Sequence, residues 1–227
     1  MSMEANFFTK KAETIEDPEK VVAQKIEKFK ELPVIEKAFE MLDRLPKDLK
    51  YHVKKHTEDV LHEAILFGIK DGLSEADLEK NAFAASWHDI GYLIRQDKNE
   101  EIAAFLIKRE DSISDSSSDI ADMIMDTKVV NTVDGLVIKM TNPMSAYLLD
   151  ADVSNFGRSD FRANTDLYAQ ELGKDFNNKQ EKIDFLELTL KLLKNHEWHT
   201  NAAQELRQEQ KLKNIKALEK EIAELKG

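Results

Sequence analysis

Residues 74–92 read SEADLEKNAFAASWHDIGY, and the rest of the chain can be parsed outward from them. Ser74 with an acid three residues later, Asp77, is the signature of a capped helix start. Leu78, Ala82, Ala85 and Trp87 then supply one apolar face at helical spacing, and Gly91 is expected to end the helix. The same period recurs on both sides. Upstream, Asp17-Pro18-Glu19 reads as a helix start, followed by the face Val22, Ile26, Phe29 and Leu32. Ile35, Phe39 and Leu42 resume beyond Pro33, which kinks the region or divides it in two. A further helix is predicted over Val53 to Ile69, ending near Gly72.

Downstream, helices are predicted over Asn99 to Lys108, Ser118 to Met125, Asn142-Pro143 through Leu148 and Val153 toward Gly157, Phe161 to Leu172, Lys179 to Lys194, and His199 to Leu225. Only the run Val129, Val130, Val133, Leu136, Val137, Ile138 has competing strand propensity. Its alternation is poor, so a loop with a short helix is expected there. The fold class is therefore all-α. Neither a GxxxxGK[ST] phosphate loop nor a GxGxxG dinucleotide turn occurs.

The 227 residues suffice for one good core or at most two small ones. Apolar residues make up 41% and charged residues 34%, which excludes a disordered tail. No apolar run approaches the length needed to cross a bilayer. Met1 to Lys10 lacks the basic segment and apolar run of a secretory signal, so a cytoplasmic protein is expected. The absence of cysteine excludes disulfides, thiolate nucleophiles and cysteine metal sites. A formal charge of -11 argues against a broad nucleic-acid surface. A small phosphorylated substrate stays open, because a bound divalent cation inverts the local potential.

Three segments carry candidate chemistry. His88-Asp89 follows the apolar helix, but neighbours on a helix project about 100° apart. The two can share a ligand only near a helix end or with the ligand between them. In Tyr51-His52-Val53-Lys54-Lys55-His56-Thr57, His52 and His56 lie four apart and share a helix face if both are helical. In Leu148-Leu149-Asp150-Ala151-Asp152-Val153, two carboxylates intrude on a core-like segment, which is costly unless they are paired or bound to a cation. Each histidine alone reads as a packing residue. Together the segments offer mixed nitrogen and oxygen ligands of the kind that suit Mn²⁺, Fe²⁺, Co²⁺, Ni²⁺ or Zn²⁺ better than Ca²⁺.

The order His56, then His88-Asp89, then Asp150-Ala151-Asp152 resembles the HD superfamily of metal-dependent phosphohydrolases. Tyr51-His52 through Thr57, Ala84 through Tyr92, Leu149 through Arg158, and Asn195-His196-Glu197-Trp198-His199-Thr200 look more narrowly like a bacterial subgroup of predicted HD phosphohydrolases. The likeness covers about residues 50 to 215. It implies a helical bundle in which His56, His88, Asp89 and Asp152 hold a divalent metal, with one ion the expectation. Asp152 matches the distal aspartate better than Asp150, which becomes a neighbour that orients a ligand or, like Asp89, the attacking water. Asn99 falls where the subgroup usually carries a histidine. That departure argues against a second metal and leaves a non-catalytic ligand-binding or regulatory protein as the alternative.

Arg158 is the first choice for a phosphate contact, ahead of Lys128 and Lys55, with Arg95 a further candidate. His52 and Asn99 are candidate substrate contacts. His196, His199 and Trp198 read as packing or pocket closure in preference to a second metal site. The expected organisation is an N-terminal helical extension over 1–50 packing on the core, an HD domain over 51–205, and a C-terminal helix over 206–227. Its stripe Leu212, Ile215, Leu218, Ile222 and Leu225 packs on the domain or against a second copy in a homodimer. The expected activity is hydrolysis of a phosphoester of a nucleotide or other small phosphorylated metabolite.

Overall fold

The computed structural model describes residues 18–113, 115–132 and 135–227. Residues 1–17 of the expected N-terminal extension, including the capping candidate Asp17, lie outside the described residues, as does Val133. Ten α-helices are described: α1 (Pro18–Lys30), α2 (Pro33–Leu42), α3 (Lys54–Lys70), α4 (Glu75–Trp87), α5 (Asn99–Ile107), α6 (Ser117–Asp126), α7 (Ser145–Asp152), α8 (Phe161–Glu171), α9 (Lys179–Asn195) and α10 (Asn201–Lys226). Pro33 opens α2 instead of kinking a longer helix. Ser74 caps α4 as its sequence implies, its hydroxyl accepting the Asp77 N–H at 3.2 Å.

The Val129–Ile138 region departs from expectation. It is an antiparallel hairpin, β1 (Val129–Thr132) and β2 (Gly135–Ile138), with Val129 opposite Ile138. Pairing satisfies the backbone of both strands whichever way the side chains alternate, so strand propensity wins over a weak pattern. The Asp126 carboxylate ties the base of this excursion. It accepts the N–H groups of Thr141 (2.8 Å) and Asn142 (2.9 Å) and the hydroxyls of Thr141 (2.8 Å) and Ser145 (2.6 Å). The chain therefore enters α7 from a fixed point, and α7 carries Asp150 and Asp152.

The main core is built around α3 and α4, with Val60, Leu61, Ile65, Ala82, Ala85 and Trp87 all buried. Val22, Phe29, Val34 and Ile35 of α1 and α2 belong to the same core. The Trp87 indole donates to the Val34 carbonyl at 3.1 Å, which pins the last residue of α4 beneath α2. A second, smaller cluster joins α8, α9 and α10 through Phe161, Phe185, Leu186, Leu193, Leu218 and Ile222. The C-terminal stripe is thus spent largely within the chain, with Leu218 and Ile222 buried and Leu212 exposed. Arg207 anchors α10 to α3 by a two-pronged bond to Glu63 at 2.6 and 2.8 Å. A Cβ on Gly157 would stand 2.4 Å from the Arg207 carbonyl oxygen, so glycine is what lets the Ser154–Gly157 turn lie against α10. Among the described residues, no helix is long and apolar enough to cross a membrane.

Candidate metal centre

The geometric obstacle to His88 and Asp89 acting together disappears at the end of α4. The helix stops at Trp87, His88 is its C-cap, and Asp89 takes φ −102° and ψ 4° before a 3₁₀ turn over Ile90–Leu93. Asp89 therefore leaves the helical spiral and its Oδ2 comes within 3.2 Å of His88 Nε2. Gly91 lies in that turn and does not end the helix, as had been expected. Its role is close approach: a Cβ there would lie 2.0 Å from the Asn99 carbonyl oxygen.

His56, in the first turn of α3, and Asp152, the last residue of α7, complete the cluster. His56 Nε2 stands 3.1 Å from Asp152 Oδ1 and 3.5 Å from Asp89 Oδ2, and His88 Nε2 stands 3.7 Å from Asp152 Oδ1. One ligand atom each from His56, His88 and Asp152 lies within 4.8 Å of the others. A cation about 2.1 Å from each ligand would hold neighbouring ligand atoms about 3.0–3.5 Å apart, close to what these groups already adopt. His56, His88 and Asp89 are buried, while the Asp152 side chain stays 28% exposed and opens the cluster to one side.

The donor chemistry fits a cation. His88 Nδ1 donates to the Ala85 carbonyl at 2.8 Å, which turns Nε2 inward toward two carboxylates. Neither His88 Nε2 nor Asp89 Oδ2 has an aligned hydrogen-bond partner among the described residues, although both are buried. Burial disfavours a charge on His88, but Asp89 and Asp152 outweigh it and push the imidazole up to about 9. Burial likewise opposes ionisation of Asp89, and the His88, His52 and His56 rings overcome it and hold the carboxyl well below the usual range. Two imidazole nitrogens facing two carboxylates in a largely buried site call for positive charge between them, supplied by a proton or by a metal.

Asp150 requires a correction. It was expected to share the water-activating role, but both its oxygens are engaged elsewhere. They accept the N–H groups of His199 (3.0 and 3.1 Å) and Thr200 (2.8 Å) and the Thr200 hydroxyl (2.8 Å). Asp150 thus holds the N-terminus of α10, where a carboxylate also meets the positive end of the helix dipole. Its partners lie some fifty residues later in the chain, where it fixes Thr200, the residue that itself caps α10 by accepting the Ala203 N–H at 3.2 Å. The choice of Asp152 over Asp150 as the distal ligand candidate agrees with this geometry.

Other expected residues divide in the same way. Lys128 pairs with Glu101 and is not among the residues lining the cleft described below, so its assignment to phosphate is withdrawn. Asn99 is buried and its amide bonds within the protein, to the His88 carbonyl (3.2 Å) and Asp89 Oδ1 (3.1 Å), so it is no substrate contact. Arg95 is exposed and pairs with Asp97. His196 is packed edge-on against Trp198 and Phe156, and its Nδ1 accepts from the Lys211 ammonium at 3.0 Å. Burial and that ammonium push His196 down to about 3. The Trp198 indole donates to Gln208 at 3.0 Å, and the His199 side chain is exposed. This segment is an aromatic latch between α9 and α10.

His52 stacks on Tyr92 with ring centroids 4.5 Å apart, and its centroid is 5.6 Å from that of His56. Its Nδ1 bonds to Glu171, a residue that no sequence motif singled out. The other Glu171 oxygen accepts three successive backbone N–H groups, from Lys50 (2.9 Å), Tyr51 (2.8 Å) and His52 (3.0 Å). Burial works against the Glu171 charge, but the His52 imidazole and these N–H groups hold the carboxyl down to about 2. His52 is raised in turn: burial lowers it and the Glu171 bond more than compensates.

From the exposed side of Asp152 a small open cleft of about 60 Å³ leads outward, lined by Lys50, Lys55, Asp59, Asp152, Arg158 and Asn164 among others. Arg158 lines it while bonded to Asp160 and, at 3.2 Å, to Asp59; Lys55 also bonds Asp59, at 2.7 Å. Comparison of the chain with models of protein families, with curated proteins and with solved structures finds no match among them.

Proposed function

We propose that the protein is a metal-dependent phosphohydrolase of the HD type, acting on a phosphoester of a nucleotide or other small phosphorylated metabolite. The observation that carries this reading is the buried His88 Nε2, turned inward by its Nδ1 bond to Ala85 and facing Asp89, Asp152 and His56 without an aligned partner. His56, His88, Asp89 and Asp152 would hold one divalent transition metal ion. Such an ion lowers the pKa of a bound water and neutralises charge on a phosphoryl oxygen.

The remaining work falls to the chain's own groups. Lys50, Lys55 and Arg158 supply positive charge along the cleft for a phosphate. Asp59 and Asp160 hold the Arg158 guanidinium in place, so that it acts as a fixed charge. Glu171 favours protonated His52 and orients its ring through Nδ1 beside His56, so that it adds a fixed positive charge next to the metal ligands. Tyr92 stacks on that ring and limits its rotation.

The alternative, a non-catalytic HD-fold binding or regulatory protein, is favoured by Asn99, which stands where the resembled subgroup usually carries a histidine. The two readings separate in one experiment. Protein supplied with Mn²⁺ or Zn²⁺ is screened against mono-, di- and cyclic nucleotides and simple phosphate esters for released phosphate. Hydrolysis that disappears in Asp89→Ala, with helical content kept, supports the enzyme. Tight ligand binding without release of product supports the alternative.

A further inference from the structure

We propose that Asn99 is a positioning residue that sets the metal affinity of the cluster by holding Asp89 with one oxygen turned inward. The inference rests on the metal-binding reading above and concerns how that site is built. Asn99 is 4% exposed and opens α5, directly behind the turn that carries Asp89. Its Nδ2 donates at once to Asp89 Oδ1 and to the His88 carbonyl, so one amide group grips both residues of the His-Asp pair. The amide orientation follows from its partners. Reversed, its oxygen would face two acceptors, whereas in the observed sense two acceptors meet an NH₂ group.

With Oδ1 held by Asn99, the outward half of the Asp89 carboxylate is occupied. Oδ2 is left 3.5 Å from His56 Nε2 and 3.2 Å from His88 Nε2, buried and without an aligned hydrogen bond. The clamp thereby selects a one-oxygen contact from Asp89. Its own position is over-determined, because the Asn99 backbone lies so close to Gly91 that a Cβ there would meet its carbonyl at 2.0 Å. Partners that orient a metal ligand typically affect metal affinity about 10–100-fold. Asn99 belongs to that class: it touches the ligand and leaves the metal to others.

The test is a cycle of Mn²⁺ dissociation constants, measured by calorimetry on the full chain, for wild type, Asn99→Leu, Asp89→Asn and the double variant. Leucine keeps the approximate shape of asparagine and removes the donor. Thermal unfolding of each variant reports the fold, and Asn99→Asp, which sets two carboxylates against each other, is a second probe should leucine fail to fold. Expected is about 10–100-fold weaker Mn²⁺ binding in Asn99→Leu or Asn99→Asp. Adding the Asn99 change to Asp89→Asn should cause little further loss, because the clamp acts through Asp89. Wild-type affinity in a folded Asn99 variant, or full additivity with Asp89→Asn, overturns the positioning role alone. Failure of the wild type to bind Mn²⁺ or Zn²⁺ overturns both this role and the metal reading beneath it.

Discussion

Replacing Glu171 with glutamine should expose how strongly one carboxylate organises the floor of the site. The side chain is only 6% exposed and its carboxyl is held from an ordinary 4.5 down to about 2. At about 1.4 kcal/mol per pKa unit, a depression of that size corresponds to about 3 kcal/mol of folding stability. Because the folded value is the lower one, this contribution is fully present above 4.5 and is lost as the pH falls toward 2. His52 behaves in the opposite sense. Its raised value adds stability below 6.5 that fades as the pH rises through the folded value. The pair is therefore worth most between 4.5 and 6.5. Urea unfolding of wild type and Glu171→Gln across that range isolates the contribution, since the other carboxylates cancel in the difference. Expected is a gap of about 3 kcal/mol near pH 6 that closes in acid. A gap below about 1 kcal/mol, or one that stays the same down to about pH 3, would refute the reasoning.

Asp150→Ala should destabilise the fold by about 3 kcal/mol, because it leaves the His199 and Thr200 N–H groups and the buried Thr200 hydroxyl without their acceptor, while metal content stays at the wild-type level. Chemical denaturation and elemental analysis check the two halves separately. Gly91→Ala should lower the unfolding temperature and weaken metal binding together, since the added carbon meets the Asn99 backbone; a shift in neither would contradict the close-approach role. Arg158→Ala should raise KM for a phosphate substrate and leave the bound metal nearly unchanged, as steady-state kinetics with metal analysis would reveal. Metal loss would instead assign Arg158 to the cluster.

Most of the helical order is legible in the residues, because caps and apolar stripes are local signals. Ser74 with Asp77, Pro33, and the faces led by Leu78 and Val22 all act within a few residues of themselves. The hairpin was missed because its pattern test assumes a half-buried strand, whereas Val129 is exposed. The convergence of His56, His88, Asp89 and Asp152 was expected from motif order and from resemblance, not from spacing, and the structure brings the four together. Asp150 was misread because its partners, His199 and Thr200, lie about fifty residues away, and local context cannot reveal a tie of that range. Glu171 gave no signal: an acid at the end of an amphipathic helix looks solvated until the backbone of residues 50–52 is seen to wrap it. Asn99 stood out as a departure from a motif, but its amide acts inward on Asp89.

Metal stoichiometry tests the central claim most directly. Protein equilibrated with Mn²⁺ or Zn²⁺ and then dialysed should retain about one ion per chain. Retention should be lost in His88→Ala and in Asp152→Ala and kept in Asp150→Ala. An ion-free wild type, or an ion held equally well by His88→Ala, would contradict the claim that these imidazoles and carboxylates grip a single cation.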